Sequence, residues 1–158
     1  MSDTRATTQM VRYRERLWVP WWWWPPAMGV AAVIAVVFQR GLPGLPDWVP
    51  FATLLVVAGV ILTWLGRLEV RVVESAGQTQ LWVGGAHLPT DVMARTAEVP
   101  KTAKSAALGR QLDPAAYVVH RAWVGPMVLV VLDDPDDPTP YWLVSTKHPD
   151  KVLAALQK

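Results

Sequence analysis

The side chains best suited to chemistry in this chain are three histidines and a short run of acids. His87, His120 and His148 lie 33 and 28 residues apart. The HExxH pair that sets two imidazoles on one helix face is missing, so each histidine is expected to be solvated or locally bonded. Asp133, Asp134, Asp136 and Asp137 crowd one segment, but a calcium loop needs alternating ligands, a glycine at the sixth position and a distal Glu. Prolines interrupt this run instead, and it reads as an acidic turn between two strands. GxSxG, GxGxxG and a Gly-rich phosphate loop are all missing, and Gly84-Gly85 reads as a turn. The chain has no Cys, which removes disulfides, thiolate catalysis, zinc–thiolate sites and iron–sulfur clusters together. No metal, no cofactor and no enzymatic activity are therefore expected. The competing reading is an active site assembled in three dimensions from residues such as Asp91, Asp113 or His120.

Basic residues offer a second kind of chemistry. Lys101, Lys104 and Arg110, with Arg95, face only Glu98 in their stretch. An ordinary solvated loop accounts for them. Held against a bilayer, they would instead contact anionic headgroups, at about 1 kcal/mol per basic residue near the surface. The formal net charge is +2. From Arg67 onward ten basic residues balance ten acidic ones, so nucleic acid is not an expected partner. The excess lies at the start, where Arg5, Arg12, Arg14 and Arg16 stand against Asp3 and Glu15.

The elements that would position these groups separate sharply by charge. From Leu17 to Gly66 the formal charges are Arg40 and Asp47 alone. Residues 1–16 read as a disordered basic tail. Residues 17–40 read as a Trp belt followed by a first spanning helix. The run from Ala27 to Phe38 has 12 residues, or about 18 Å of helix, short of the ~30 Å hydrocarbon layer unless the preceding tryptophans are added. Pro25 or Pro26 starts or kinks that helix. Residues 41–47, with two Gly and two Pro, form a short external loop. Residues 48–66 are uncharged and reach about 28 Å, a second span. Trp18, Trp21, Trp22, Trp23, Trp24, Trp48 and Trp64 flank the two runs, as expected of interface anchors with an apolar ring and one N–H donor. Four consecutive tryptophans cannot all face one soluble core. Arg12, Arg14 and Arg16 before the first run, and Arg67 and Arg71 after the second, outweigh Arg40 with Asp47. Positive-inside bias then places both ends in the cytoplasm. A cleaved signal peptide would need small residues after the apolar core, and residues 38–43 do not provide them.

From Leu68 the hydrophobic period changes to two. Strands are expected at 68–73, 79–83, 87–89, 93–99, 116–123, 127–132 and 141–145, with a loop over 101–113. A helix follows at 149–157, capped by Thr146 or His148, with Pro149 at its first position. The expected fold is therefore membrane α+β. A two-helix transmembrane hairpin precedes a small, mostly β cytosolic roll over 67–158, closed by the C-terminal helix.

The chain resembles an actinobacterial family of two-pass membrane proteins catalogued only as a domain of unknown function (DUF3093). The strings that carry the resemblance are Tyr13 to Pro20 (YRERLWVP), the helix pair, Leu108 to Val119 (LGRQLDPAAYVV), and Asp133 to Thr146 running into the last helix. The resemblance implies a bacterial plasma-membrane location and brings no activity. The β-rich part also resembles bacterial pleckstrin-homology-like (PH-like) modules, through its strand number, its terminal helix and the STKHPD string from Ser145. The leading functional expectation is a non-catalytic, membrane-anchored binding or scaffold module that contacts a protein partner or anionic lipid headgroups. A small accessory subunit of an envelope complex, with the Trp-rich hairpin as its interface, is the alternative. Two helices without polar lining cannot form a pore alone. The sequence leaves the oligomeric state open.

Overall fold

Period-two patterning on either side of an apolar helix pair folds into two compact units, divided between Leu17 and Trp18 and again between Arg67 and Leu68: the described residues of 18–67, and the described residues on either side of them. The computed structural model describes residues 10–41 and 44–157. Part of the expected tail (1–9), part of the expected loop (42 and 43) and Lys158 lie outside the described residues.

The β-rich unit contains two four-stranded sheets. The first runs β1 (Met10–Arg16), β2 (Glu69–Ser75), β3 (Gln78–Val83) and β4 (Ala86–Pro89), all antiparallel. The second has the order β5 (Met93–Val99), β7 (Met127–Leu132), β8 (Tyr141–Ser145) and β6 (Tyr117–Val119), with β6 parallel to β8. Alternation places Val70, Val72, Leu81, Val83 and Leu88 of the first sheet against Val128, Val130, Trp142 and Val144 of the second, in one core. Helix α4 (Pro149–Leu156) adds Val152 and Leu156 to it. Each such aliphatic side chain contributes about 1.5–3 kcal/mol by leaving water.

Three expectations are corrected here. Residues 10–16 are not tail but strand β1, paired with β2 from Met10↔Glu74 to Arg16↔Glu69 around a bulge at Arg12. Their alternation is real: Tyr13 packs on the core and Leu17 is fully buried, while Arg14 and Arg16 point away. The strand expected at 116–123 shrinks to Tyr117–Val119. Beyond it the backbone leaves the ladder, and the Arg121 N–H donates to Ser145 Oγ at 3.0 Å. The loop expected over 101–113 contains the short helix α3 (Lys104–Leu108). At α4 the N-cap residue is His148, whose side chain makes no capping bond; Thr146 Oγ1 instead accepts its N–H at 3.3 Å. Pro149 stands in the first turn, where a missing N–H costs nothing.

The second unit is a pair of helices, α1 (Trp24–Gly41) and α2 (Trp48–Leu65), preceded by a 3-10 turn at Trp21–Trp23. Pro25 and Pro26 lie in the first turn of α1. The segments Trp21–Gly41 and Trp48–Leu65 are long and apolar enough to cross a membrane, and only 11% of each is buried within the structure. A core helix of a water-soluble protein would be mostly buried. The buried positions are Ala31 and Ala35, one turn apart on α1, with Leu62 and Pro50 on α2. Gly66 follows α2 as its C-cap, and a Cβ there would stand 3.3 Å from the backbone N of Val19. The chain leading into the helices and the chain leaving them thus touch at a residue with no side chain.

Candidate functional site

β1 leads into the helix pair and β2 leads out of it. Because they are neighbours in one sheet, Leu17 N–H donates to Leu68 O at 3.0 Å. Arginines on the two flanks are therefore brought together rather than merely balanced in count. Arg14 and Arg71 are cross-strand partners, and Arg16 lies opposite Glu69. Glu69 forms ion pairs with both Arg14 and Arg71, the latter at 3.8 Å. Register extends this rung across the sheet: Arg71 lies opposite Trp82, and Trp82 opposite His87. The His87 ring stacks on Trp82 with centroids 4.8 Å apart, the Arg71 guanidinium lies 5.9 Å from the Trp82 centroid, and Trp82 Nε1 donates to Gln80 Oε1 at 3.2 Å. The face of the first sheet turned away from the core thus carries three arginines, one carboxylate, an indole and an imidazole. Trp82 was not singled out from sequence, and His87 was read there only as a solvated or locally bonded imidazole; cross-strand register, which is a long-range fact, unites them with the arginines.

Arg12 is used differently. At the bulge it turns toward Glu74, giving Nε and Nη2 to Oε2 at 3.0 and 2.7 Å. On the same strand lies a buried carboxylate that sequence reading missed. Glu15 is 8% exposed. It accepts from Thr146 Oγ1 at 2.6 Å, the Lys147 N–H at 2.9 Å and the Tyr13 hydroxyl at 3.0 Å. This knot ties β1 to the segment that starts α4. Burial, with Glu15 beside it, pushes the Tyr13 phenol well above the ordinary tyrosine range.

The loop lysines separate. Lys104 Nζ donates to Arg121 O at 2.9 Å and also to Val124 O. Burial lowers its pKa below the ordinary lysine value. Lys101 lays its stem beside Gly125, and Arg110 is exposed without joining them. The acidic segment caps its own turn: Asp134 Oδ1 accepts the N–H of Asp136 at 3.0 Å, and Asp137 Oδ1 accepts that of Thr139 at 2.9 Å. Asp113 Oδ1 likewise accepts the N–H of Ala115 at 2.8 Å. Asp91 is exposed in the 3-10 turn Thr90–Val92. Among the described residues no three His, Asp or Glu side chains form a group that could hold a metal.

Of the expected interface tryptophans, Trp21, Trp48 and Trp64 are strongly exposed, and Trp18, Trp22 and Trp24 partly so. Trp22 and Trp23 meet at 5.7 Å between ring centroids. The outer surface of the helix pair is aliphatic, with Val33, Val37, Val56 and Val60 each more than half exposed.

The chain belongs to the family described as protein of unknown function (DUF3093), which matches residues 12–156. No curated protein and no solved structure matches it.

Proposed function

We propose that this member of the family is a non-catalytic plasma-membrane protein of a bacterium, the origin that the actinobacterial resemblance implies. Its two helices span the bilayer, and its β-rich unit binds anionic lipid headgroups through the outer face of the first sheet. One observation carries the reading: the two strands that adjoin the helices place Arg14, Arg16 and Arg71 on one exposed face, with Trp82 and His87 beside them. Cations and an indole suit the wet, anionic side of a membrane surface. Aliphatic side chains facing outward from both helices suit hydrocarbon. The β1–β2 pair requires both flanks to lie on one side of any bilayer that the helices cross. That side is the cytoplasm by the positive-inside rule. We read the β-rich unit as a PH-like roll in which α4 packs on the shared core; the parallel β6–β8 pair is its departure from an all-antiparallel arrangement.

The test uses the full chain in phosphatidylcholine nanodiscs with and without phosphatidylglycerol. Anionic lipid is expected to slow hydrogen exchange in β2–β4 and to raise the melting temperature. The Arg14→Gln/Arg71→Gln double variant should lose that gain, about 2 kcal/mol at 1 kcal/mol per basic residue. Equal behaviour in both lipids would refute headgroup binding. Topology is checked separately: a phosphatase fused at Gly44 should be active and one fused after Gln157 inactive.

A further inference from the structure

A second cationic group lies in the β-rich unit, on the loop between β6 and β7. Lys104 reaches this loop from α3 and holds the carbonyls of Arg121 and Val124. Lys101 lies along it at Gly125. The Arg121 guanidinium sits 6.0 Å from the Trp123 ring centroid. Its Nη1 donates to the carbonyl of His120 at 3.0 Å, while its Nε is buried and has no hydrogen-bond partner among the described residues. His120 adjoins these cations. Burial first, then the charges of Lys104 and Arg121, lower its pKa. Among the described residues the ion pairs involve Arg12, Arg14 and Arg71, so no carboxylate neutralises this group.

Two cations held together by backbone bonds, with a lysine alongside and no counter-ion, repel one another. A buried guanidinium N–H without an acceptor adds a cost that a surface arginine avoids by turning to water. An oxyanion at the accessible end of the guanidinium offsets the repulsion among the cations, while the buried Nε stays without an acceptor. The planar guanidinium presents two parallel donors to a tetrahedral oxyanion, and Lys104 retains a further donor beyond the two carbonyls.

We propose that Arg121, Lys104 and Lys101, with His120 at the rim, form a binding site for a phosphate monoester group. The site lies on the second sheet's loop, apart from the arginine–tryptophan face of the first sheet, and does not rest on the headgroup reading of that face. The monoester is carried either by a lipid such as phosphatidic acid or by a small water-soluble molecule. Trp123 supports the guanidinium through its ring, and the Ser145 hydroxyl fixes the Arg121 backbone.

The full chain in phosphatidylcholine nanodiscs, with labelled histidine and arginine side chains, is titrated with inorganic phosphate at constant ionic strength. The His120 ring and Arg121 signals are followed by NMR. Saturable shifts confined to these residues are expected. Arg121→Gln should weaken binding roughly 10- to 100-fold, as loss of charge-assisted hydrogen bonds implies. Arg121→Lys, which keeps the charge and loses the fork, should weaken it nearly as much. Arg14→Gln, on the other sheet, should bind as wild type does; its failure in the anionic-lipid experiment would leave this titration unchanged. A second arm replaces phosphate with phosphatidic acid in the disc. Shifts there that free phosphate does not reverse assign the lipid source, and shifts with free phosphate alone assign a soluble one. If Arg121→Gln were to misfold, Lys101→Gln with an unchanged melting temperature should still weaken binding. The absence of shifts in both arms, or shifts equal in wild type and folded variants, overturns the proposal.

Discussion

The two units of this chain have similar appetites for aliphatic side chains and arrange them in opposite ways. In the β-rich unit Val70, Val72, Leu81, Val128 and Val130 point inward and the arginines outward. In the helix pair the buried positions on α1 go to Ala31 and Ala35, and the large residues point outward. A sheet core draws its stability from removing large side chains from water. Helices surrounded by apolar solvent gain nothing that way and pack closely through small residues instead. The contrast predicts that each unit answers to its own solvent.

The largest expected effect comes from separating the units. Leu17 and Leu68 are hydrogen-bonded neighbours, so residues 18–67 can be replaced by an Asn-Gly turn. The resulting protein should be water-soluble, with a β-dominated circular dichroism spectrum and a cooperative melt. A fragment beginning at Leu68 lacks β1, Leu17 and Glu15 and should show no cooperative melt. A fragment that melts as sharply as the joined protein would reduce β1 to an accessory.

A charge should then act oppositely in the two units. Val56, 65% exposed in the middle of α2, is expected to cost about 3 kcal/mol of insertion when changed to Arg. The measurement is the fraction of protein that resists carbonate extraction. Were α2 bathed in water, Val56→Arg would leave solubility unchanged or improved.

In the β-rich unit the sensitive charge is already present. Glu15→Ala strands the Thr146 hydroxyl and the Lys147 N–H and should cost about 2–3 kcal/mol, read from chemical denaturation of the joined protein. Its neighbour sets an alkaline limit. The phenol of Tyr13 is raised in the folded state, so its stabilising contribution is complete below the unfolded value near 10 and is lost as pH rises toward the folded value. Tyr13→Phe should flatten the decline in stability above about pH 10, where unmodified tyrosine ionises.

The smallest effect tests the β2–β3 turn, where Ala76 has φ 53° and Gly77 φ 81°. A left-handed alanine costs about 1–2 kcal/mol. Ala76→Asn creates the preferred Asn-Gly pair and should raise stability by about 0.5–1 kcal/mol, the part of that cost which asparagine avoids.

What could be read from sequence followed the range of the interaction. Met93–Val99, Met127–Leu132 and Tyr141–Ser145 announce themselves by local composition and bounding prolines or acids, α2 by its length, and α1 only once the tryptophans before its short apolar run are counted with it. β1 did not, because its inward positions hold Tyr13 and Glu15. A charged inward residue disguises alternation until its partners, Thr146 and Lys147, are known. The site residues divide in the same way. Arg14, Arg16 and Arg71 were visible as charges beside apolar runs, whereas their union with Trp82 and His87 depends on register. Arg121 gave no local signal at all; its surroundings are made by α3 and by Ser145 of β8.

The bond between Glu15 and Thr146 spans 131 positions of chain. At a synthesis pace of about 5–20 residues per second, β1 emerges roughly 7 to 26 seconds before its last partner exists. Both apolar helices are made within that interval. β1 therefore finds its ladder partner β2 only once both helices have been made, and its Glu15 waits longer still for Thr146. The Glu15 knot thus closes only when the segment that starts α4 has been made. A release of the N-terminal strand to any competing partner during that wait would yield a helix pair joined to an open sheet.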